Sequence, residues 1–137
     1  FWSRRMLHET LVHRFDAAQA LGVSSTISND VAVDGVDEFL TNFAGAADSF
    51  APQAKALKGS GETIHFHCTD ADGEWMITLT PNGFDWTHGH GKGDVAVRGP
   101  AKDLYLLVWG RADINNPAFQ RFGDNDLLDR WLRLSAI

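Results

Sequence analysis

Glu9 and His13 stand four residues apart in the segment MLHETLVHR, residues 6–14, where the apolar residues recur at helical spacing. In an α-helix, residues at i and i+4 lie on one face about 5–6 Å apart, so both side chains could reach one divalent ion. Carboxylate and imidazole groups are zinc ligands, but a zinc site needs at least three protein ligands. The spacing therefore predicts either part of a metal site or a polar i,i+4 pair that holds no metal.

Two pairs of histidines, each with one residue between its members, are further candidates for metal binding. His65 and His67 lie in a segment of alternating polarity, so both side chains point to the same face of a predicted strand. They could bind a metal or simply line a half-exposed sheet face. His88 and His90, in the glycine-rich run GHGKGD, could complete a four-imidazole cluster with them if the strands align, or could belong to a flexible loop. The sequence leaves the role of all four open.

Two arginines, Arg98 and Arg111, each end an apolar run and are candidates for catalysis. A guanidinium group can bind a carboxylate through two parallel hydrogen bonds. Arg111 lies at the end of a predicted helix, where it could instead satisfy the terminal carbonyl groups. The single cysteine, Cys68, alternates with apolar residues in a predicted strand. Because a thiol in apolar surroundings resists ionisation, we assign it to the core.

The elements that must position these residues follow from hydrophobic periodicity. Helical spacing predicts a first helix over residues 1–21, a second over 36–47, a third from Pro100 to Gly110 and a last one near the C-terminus. Between them, GETIHFHCTD and EWMITLTP alternate with period two and predict a hairpin. Residues 84–89 and 94–99 predict two more strands, and a short one precedes the last helix. The order predicts an α+β fold with an antiparallel sheet of about four to five strands packed by helices.

The sequence also predicts which residues of the two hairpin strands pair. Pairing Thr69 with Glu74 would place His67 and Met76 together on one face of the hairpin, with the apolar residues of both strands on the other.

Composition excludes some classes of function. The chain has 137 residues and a formal net charge of −6, which does not suit binding to nucleic acid phosphates. No apolar run approaches the ~20 residues of a membrane span. One cysteine makes no internal disulfide, so a cytoplasmic location is expected. The chain begins FWSRRMLHE, without an initiator methionine or a helix-capping residue, which predicts that it is the C-terminal part of a longer protein.

The segment WSRRMLHETLVHRFDAA resembles the last helix of the metal-binding bundle in the mycothiol-dependent maleylpyruvate isomerase family, whose N-terminal domain is DinB-like. The stretches ETIHFHCTDADGEWMITL, GDVAVRGPAKDLYLLVWGR and FGDNDLLDRWL resemble that family's C-terminal domain, which is similar to sterol-carrier-protein-like folds. The resemblance implies three parts. Residues 1–22 would be the last helix of a truncated bundle, 23–33 a linker and 34–137 the α+β C-terminal domain.

The same resemblance implies a chemistry. Glu9 and His13 match two of the family's three metal ligands, and the third, a histidine on an earlier helix, has no counterpart in this chain. The metal, zinc or another divalent ion, would bind the thiol cofactor mycothiol. The thiolate would add to the cis double bond of maleylpyruvate, and elimination after rotation would leave the trans isomer. An arginine of the C-terminal domain would bind a carboxylate of the substrate or cofactor, with Arg111 as first candidate and Arg98 as second.

Two other functions remain open on the sequence. A sterol-carrier-like domain could bind an apolar ligand between its sheet and its helices. Alternatively, the first helix, which carries apolar residues on more than one side, could make the chain a non-catalytic interaction domain that forms a homo-oligomer. The expected partners of the enzyme reading are a small-molecule thiol and a small carboxylate substrate, with no nucleic acid and no membrane.

Overall fold

The fold is α+β, with one five-stranded sheet and four α-helices, as predicted. A computed structural model describes residues 1–137, apart from the side chains of residues 46–48 and 50. The elements are α1 (Trp2–Ala20), α2 (Asn29–Phe50), a 3₁₀ helix (Pro52–Ala56), β1 (Thr63–Cys68), β2 (Glu74–Thr80), β3 (Gly83–His88), β4 (Val95–Gly99), α3 (Ala101–Val108), β5 (Gln120–Gly123) and α4 (Asn125–Leu134). None of the helices in the described part of the chain is long and apolar enough to cross a membrane.

The strands lie in the order β3-β2-β1-β4-β5. Three of the neighbouring pairs are antiparallel, as predicted, whereas β1 and β4 are parallel. The parallel pair means that the chain leaves β3 at one edge, passes β2 and β1, and enters β4 beyond them. Three strand spacings amount to about 14 Å, which lies within the ~23 Å reach of seven extended residues. Residues 89–94 can therefore cross the sheet directly, without an intervening helix.

One face of the sheet and the inward faces of the helices form the core. Helical spacing predicts an apolar stripe on α2, formed by Val36, Phe39, Leu40 and Phe43, and all four are buried. The largest core side chains include Trp75, Trp131, Tyr105, Phe43, Phe66, Leu40, Leu57, Ile64, Ile77, Leu79, Leu104 and Leu128. Asp124 caps the N-terminus of α4 by accepting a hydrogen bond from the backbone N–H of Leu127 at 3.1 Å. Helices therefore cover one face of the sheet and leave the other to loops.

One predicted boundary and the predicted inward face of α1 need correction. α2 begins at Asn29, so the last residues of the predicted linker, 29–33, belong to that helix. Helical spacing in the sequence predicts that Leu7, Leu11, Phe15 and Ala18 form the main apolar stripe of α1. Its buried residues are His8 and Val12; Phe15 packs against the core, whereas Leu7 is 45% exposed. The prediction is wrong for Leu7 because the helix directs His8, which has a hydrogen-bond partner, into the core.

The predicted hairpin register is wrong by two residues. Phe66 pairs with Trp75, and His67 pairs with Glu74 instead of Met76. The ladder ends before Thr69: the N–H of Cys68 donates to Gly73 O at 2.8 Å, and the N–H of Thr69 donates to Gly99 O on the β4 side at 2.9 Å. A slip of two keeps every side chain on its predicted face but changes which residues are opposite each other.

Candidate functional site

Glu9 and His13 project from α1 with their side chains in contact range. Glu9 Oε2 lies 3.4 Å from His13 Nε2, and the side chains are 36% and 69% exposed. Two ligands of a tetrahedral zinc ion with bonds of about 2.0–2.1 Å lie about 3.3 Å apart, so the spacing suits a shared ion. The other oxygen of Glu9 accepts a hydrogen bond from Arg5. The pair therefore fits two positions of a metal site and needs further ligands to complete one.

Buried polar contacts fix α1 on the rest of the protein. His8 is fully buried, and its Nε2 lies 2.8 Å from Asp34 Oδ2 on α2. Arg4 donates from Nε to the same carboxylate oxygen at 3.0 Å. Burial by itself would raise the pKa of Asp34, but the hydrogen bonds from Arg4 and His8 lower it below its ordinary value. The His8 ring also packs against Tyr105 and Trp109 of the α3 segment, so the orientation of the Glu9 face depends on α2 and α3.

Arg111 forms a second polar contact with α1. Its Nε and Nη2 atoms donate to the two carboxylate oxygens of Asp16, each at 3.3 Å. Its Nη1 donates to Trp109 O at 2.8 Å, next to the end of α3. Both uses considered for this arginine, the carboxylate clamp and the satisfaction of terminal carbonyl groups, thus occur together, with Asp16 as the carboxylate.

A cleft of about 660 Å³ opens beside Glu9. Its walls are mostly apolar and aromatic, with Arg5, Glu9 and Arg111 as its charged residues; the apolar lining includes Phe1, Trp2, Val12, Phe39, Phe43 and Trp109. The Arg5 guanidinium lies over the Trp109 ring, 4.8 Å from its centroid. A largely apolar cleft with a few charged groups is typical of a small-molecule site.

Arg98 lies elsewhere. The parallel ladder pairs Arg98 with His67, which places its side chain on the sheet face that the helices do not cover. Of the two candidate arginines, Arg111 shares the cleft with Glu9.

The sheet brings a second set of polar side chains together on that uncovered face. One ligand atom from each of His65, His67, Glu74 and His90 lies within 4.8 Å of the other three. Glu74 is the centre of this His/Glu cluster: its carboxylate lies 2.5 Å from His67 Nδ1, 3.2 Å from His90 Nδ1 and 3.5 Å from His65 Nε2. Three of the four histidines considered for a metal cluster therefore meet, and Glu74, which that reasoning missed, joins them.

Local structure explains this arrangement. The register places Glu74 opposite His67, and the crossing segment 89–94 carries His90 over the sheet. A Cβ on Gly93 would lie 3.2 Å from His65 Cβ, and one on Gly91 would lie 3.0 Å from Met76 Cε. Glycines thus allow the segment to lie close against the sheet. In the sequence, the run GHGKGD could have indicated this arrangement, since closely spaced glycines are typical of a backbone segment that passes close to other residues.

His88 does not join the cluster. It pairs with Trp75 in the ladder, so it faces the helices, and its Nε2 lies 3.2 Å from Asp37 Oδ2 on α2. Gly89 follows with φ +144, a conformation that favours glycine, and the chain turns there before His90. The prediction that all four imidazoles could meet is therefore wrong for His88.

The charges in the His/Glu cluster suit a cation. Burial lowers the pKa of His65, which keeps its imidazole neutral. Burial alone would raise the pKa of Glu74, but the neighbouring histidines, His67 first, lower it below its ordinary value. Neutral imidazole and ionised carboxylate are the forms that bind metal.

Cys68 lies on the opposite face of the same strand, where it is 3% exposed. Burial raises the pKa of its thiol to about 11, so it is not a nucleophile at neutral pH. This confirms its assignment to the core.

The sheet with helices on one face is similar in fold to solved sterol carrier proteins. The family model described as the MDMPI C-terminal domain, from maleylpyruvate isomerase, matches residues 30–130. The chain belongs to this family, as its sequence predicted.

Solved structures agree with this fold. The UbiJ-SCP2 ubiquinone synthesis protein is 15% identical, with a TM-score of 0.54, over 81% of this chain and 93% of that one. Sterol carrier protein 2 from Yarrowia lipolytica, in its apo form, is 16% identical with a TM-score of 0.54 over 79% of this chain and 99% of its own. Palmitated SCP2L2 from Aedes aegypti is 17% identical with a TM-score of 0.53, over 75% and 93%. No curated protein matches the sequence.

Proposed function

We propose that this chain is part of a metal- and mycothiol-dependent enzyme of the maleylpyruvate isomerase type, in which Glu9 and His13 bind the metal. The observation that carries the proposal is the 3.4 Å spacing of Glu9 Oε2 and His13 Nε2 on a chain that belongs to this family. A third ligand would come from a helix outside residues 1–137. When bound, the metal would lower the pKa of a coordinated thiol.

The cleft supports the same proposal. Glu9 and Arg111 both line it, so a small molecule beside Glu9 could reach a guanidinium group. In the structure, Arg111 binds the carboxylate of Asp16 through two hydrogen bonds. We assign Arg111 to the carboxylate of the substrate or cofactor, with Asp16 taking that position when no ligand is bound. Arg98, on the other sheet face, is then not a catalytic residue.

The exposed apolar side chains of α1 support the proposal that another helix packs against it. Trp2, Met6 and Leu7 are 74%, 57% and 45% exposed, and a helix with apolar residues outside its packed face is typical of a bundle. We propose that the bundle helices of the parent enzyme cover this surface, with residues 1–22 as the last helix of that bundle.

A test uses the full-length parent enzyme, with zinc content and mycothiol-dependent isomerisation of maleylpyruvate as two readouts. Glu9→Ala and His13→Ala should each abolish isomerisation and lower the zinc content by one ion per chain. Because His88 is a partly exposed histidine outside the cleft, His88→Ala is the matched control and should keep both. Full activity and unchanged zinc content in the Glu9 and His13 variants would overturn the proposal.

Binding of an apolar ligand is the second candidate function. The aromatic lining of the cleft favours it, and the neighbouring structure from Aedes aegypti is described as palmitated. Native mass spectrometry of the purified protein, with and without added fatty acid, tests it. A bound lipid that blocks the cleft would support this function, and a spectrum with protein alone at saturating fatty acid would exclude it.

A further inference from the structure

We propose that the His/Glu cluster of His65, His67, Glu74 and His90 binds a divalent transition-metal ion of the zinc type. This site lies on the sheet face opposite the helices, apart from Glu9 and His13. It does not depend on the function proposed above.

The geometry of the cluster fits one ion. Each of the four residues offers one ligand atom, and all four atoms lie within 4.8 Å of one another. The contacts of Glu74 with His65 and His90, at 3.5 and 3.2 Å, are close to the ~3.3 Å that separates two ligands of tetrahedral zinc. Because the His90 side chain is 83% exposed, its rotation can adjust the distances from its ligand atom to the other three.

The burial of His65 distinguishes the cluster from a chance grouping of surface side chains. Its side chain is 6% exposed, and its Nε2 atom is buried with no hydrogen-bond partner. Buried polar atoms normally have a partner. This nitrogen faces the Glu74 carboxylate at 3.5 Å, on the side where His67 and His90 converge.

A hydrogen-bond network without a metal explains the positions of His67 and His90 but not the buried, unpaired nitrogen of His65. One carboxylate oxygen of Glu74 lies 2.5 Å from His67 Nδ1, and the other lies within hydrogen-bond distance of His90 Nδ1, at 3.2 Å. That leaves the buried nitrogen of His65 unpaired. A cation at the centre would contact all three imidazoles and the carboxylate, and would neutralise the Glu74 charge.

The donor set indicates the class of metal and its role. Imidazole nitrogens favour zinc, copper, nickel or iron over magnesium and calcium. Four protein ligands fill the coordination shell of a structural zinc site, whereas a catalytic site keeps one position open. The ion would therefore fasten the crossing segment, through His90, to β1 and β2. Its effect would be on stability and on the order of that segment.

The experiment removes metal with a chelator and titrates Zn²⁺ into the chain of residues 1–137 that carries Glu9→Ala and His13→Ala. This background removes the α1 pair as a source of binding. We expect one Zn²⁺ per chain, a rise in melting temperature on binding, and shifts of the NMR signals of His65, His67 and His90. Co²⁺ in place of Zn²⁺ should give the intense visible absorption of tetrahedral coordination.

The variants are chosen to keep the fold. His90→Ala changes a side chain that is 83% exposed and His67→Ala one that is 24% exposed, so neither leaves a buried cavity. Each should weaken Zn²⁺ binding by at least about 10-fold, the lower end of what even outer-shell partners of a metal cost. His88→Ala removes a ring whose Nδ1 lies 3.2 Å from the backbone carbonyl of Glu74 and whose side chain faces the helices. It leaves all four ligand atoms in place, so it should leave binding unchanged.

Circular dichroism shows whether each variant is folded. Equal Zn²⁺ affinity in the background, the His67 variant and the His90 variant would overturn the proposal, as would the absence of stoichiometric binding in the folded background. Binding lost equally in the His88 control would also count against the site, because it would show a non-specific effect.

Discussion

Replacing Gly35 with alanine is expected to destabilise the protein, although alanine is the better helix former. Gly35 lies inside α2, where it faces α1 and α3. An added Cβ would clash with the ring of Tyr105, lying 2.5 Å from Cδ2 and closer still to Cε2, and would lie 2.9 Å from His8 Cε1. Both rings are fully buried. The backbone carbonyl of Gly35 also accepts from Trp109 Nε1 at 3.2 Å, so α2 cannot move away without losing that bond.

The magnitude follows from two opposing terms. Alanine gains about 1 kcal/mol in helix propensity over glycine, whereas overpacking a tight core costs about 1–3 kcal/mol. Because two buried rings and a hydrogen bond constrain the site, we expect the upper end of that cost. The net loss in the free energy of unfolding is then about 1–2 kcal/mol.

Gly45 provides a matched control on the same helix. A Cβ there meets no atom of the described residues within 4 Å. Gly45→Ala should therefore stabilise the protein by about 0.5–1 kcal/mol. Urea unfolding followed by circular dichroism measures both variants against the wild type. A Gly35→Ala protein as stable as the wild type, or more so, would refute the close approach of the three helices.

Three further predictions concern the Cys68 thiol, the ion pair of Arg111 with Asp16, and the loss of stability at low pH. Cys68 should not react with iodoacetamide at neutral pH in the folded protein, because burial raises its thiol pKa to about 11, and should react fully in denaturant; rapid labelling of the native protein would contradict this. In a double-mutant cycle, Arg111→Ala and Asp16→Ala should show a coupling of about 0.5–1 kcal/mol, and purely additive effects would show that the two hydrogen bonds contribute nothing. Burial by itself would raise the pKa of Asp34, but the hydrogen bonds from Arg4 and His8 lower it below its ordinary value of 3.8. The ionised carboxylate therefore stabilises the folded protein above pH 3.8, and this stabilisation is lost as the pH falls through the lower pKa of the folded state. An Asp34→Asn variant should therefore lose less stability than the wild type between about pH 5 and pH 2, and parallel acid-denaturation curves would contradict this.

Local pattern was enough to predict most of the elements. The apolar stripe Val36, Phe39, Leu40 and Phe43 is buried because helical periodicity and a large apolar area point to the same face. The strands followed from alternation, and a slip of two residues leaves that alternation intact. These features depend on residues close together in sequence.

The arrangement of the His/Glu cluster could not be predicted in the same way. It depends on the pairing of His67 with Glu74, next to which the N–H of Cys68 donates to Gly73 O across the turn. A slip of this register by two residues keeps the alternation, so the periodic pattern does not distinguish the two registers. The crossing of residues 89–94 over the sheet likewise depends on the parallel pairing of β1 with β4. Sequence could therefore supply the ligand types but not the arrangement that brings His90 in and excludes His88.

The inward placement of His8 shows a related limit. A histidine between Leu7 and Glu9 gives no periodic sign of burial. It is buried because Asp34 on α2 accepts its hydrogen bond and two aromatic rings of the α3 segment surround it. Tertiary partners thus decided which side of α1 faces the core.

The two candidate metal sites lie on opposite sides of the sheet, and this separation has a mechanistic consequence. Glu9 and His13 belong to α1, which packs on α2 and α3 through His8 and Val12. The His/Glu cluster lies on the sheet face that those helices leave uncovered. Since distant sites with no shared partners contribute additively, removing the His90 ligand should change the stability of the domain without changing the zinc affinity of the Glu9 site. Loss of isomerisation on removal of His90 at unchanged stability would instead mean that the two sites are coupled through the sheet.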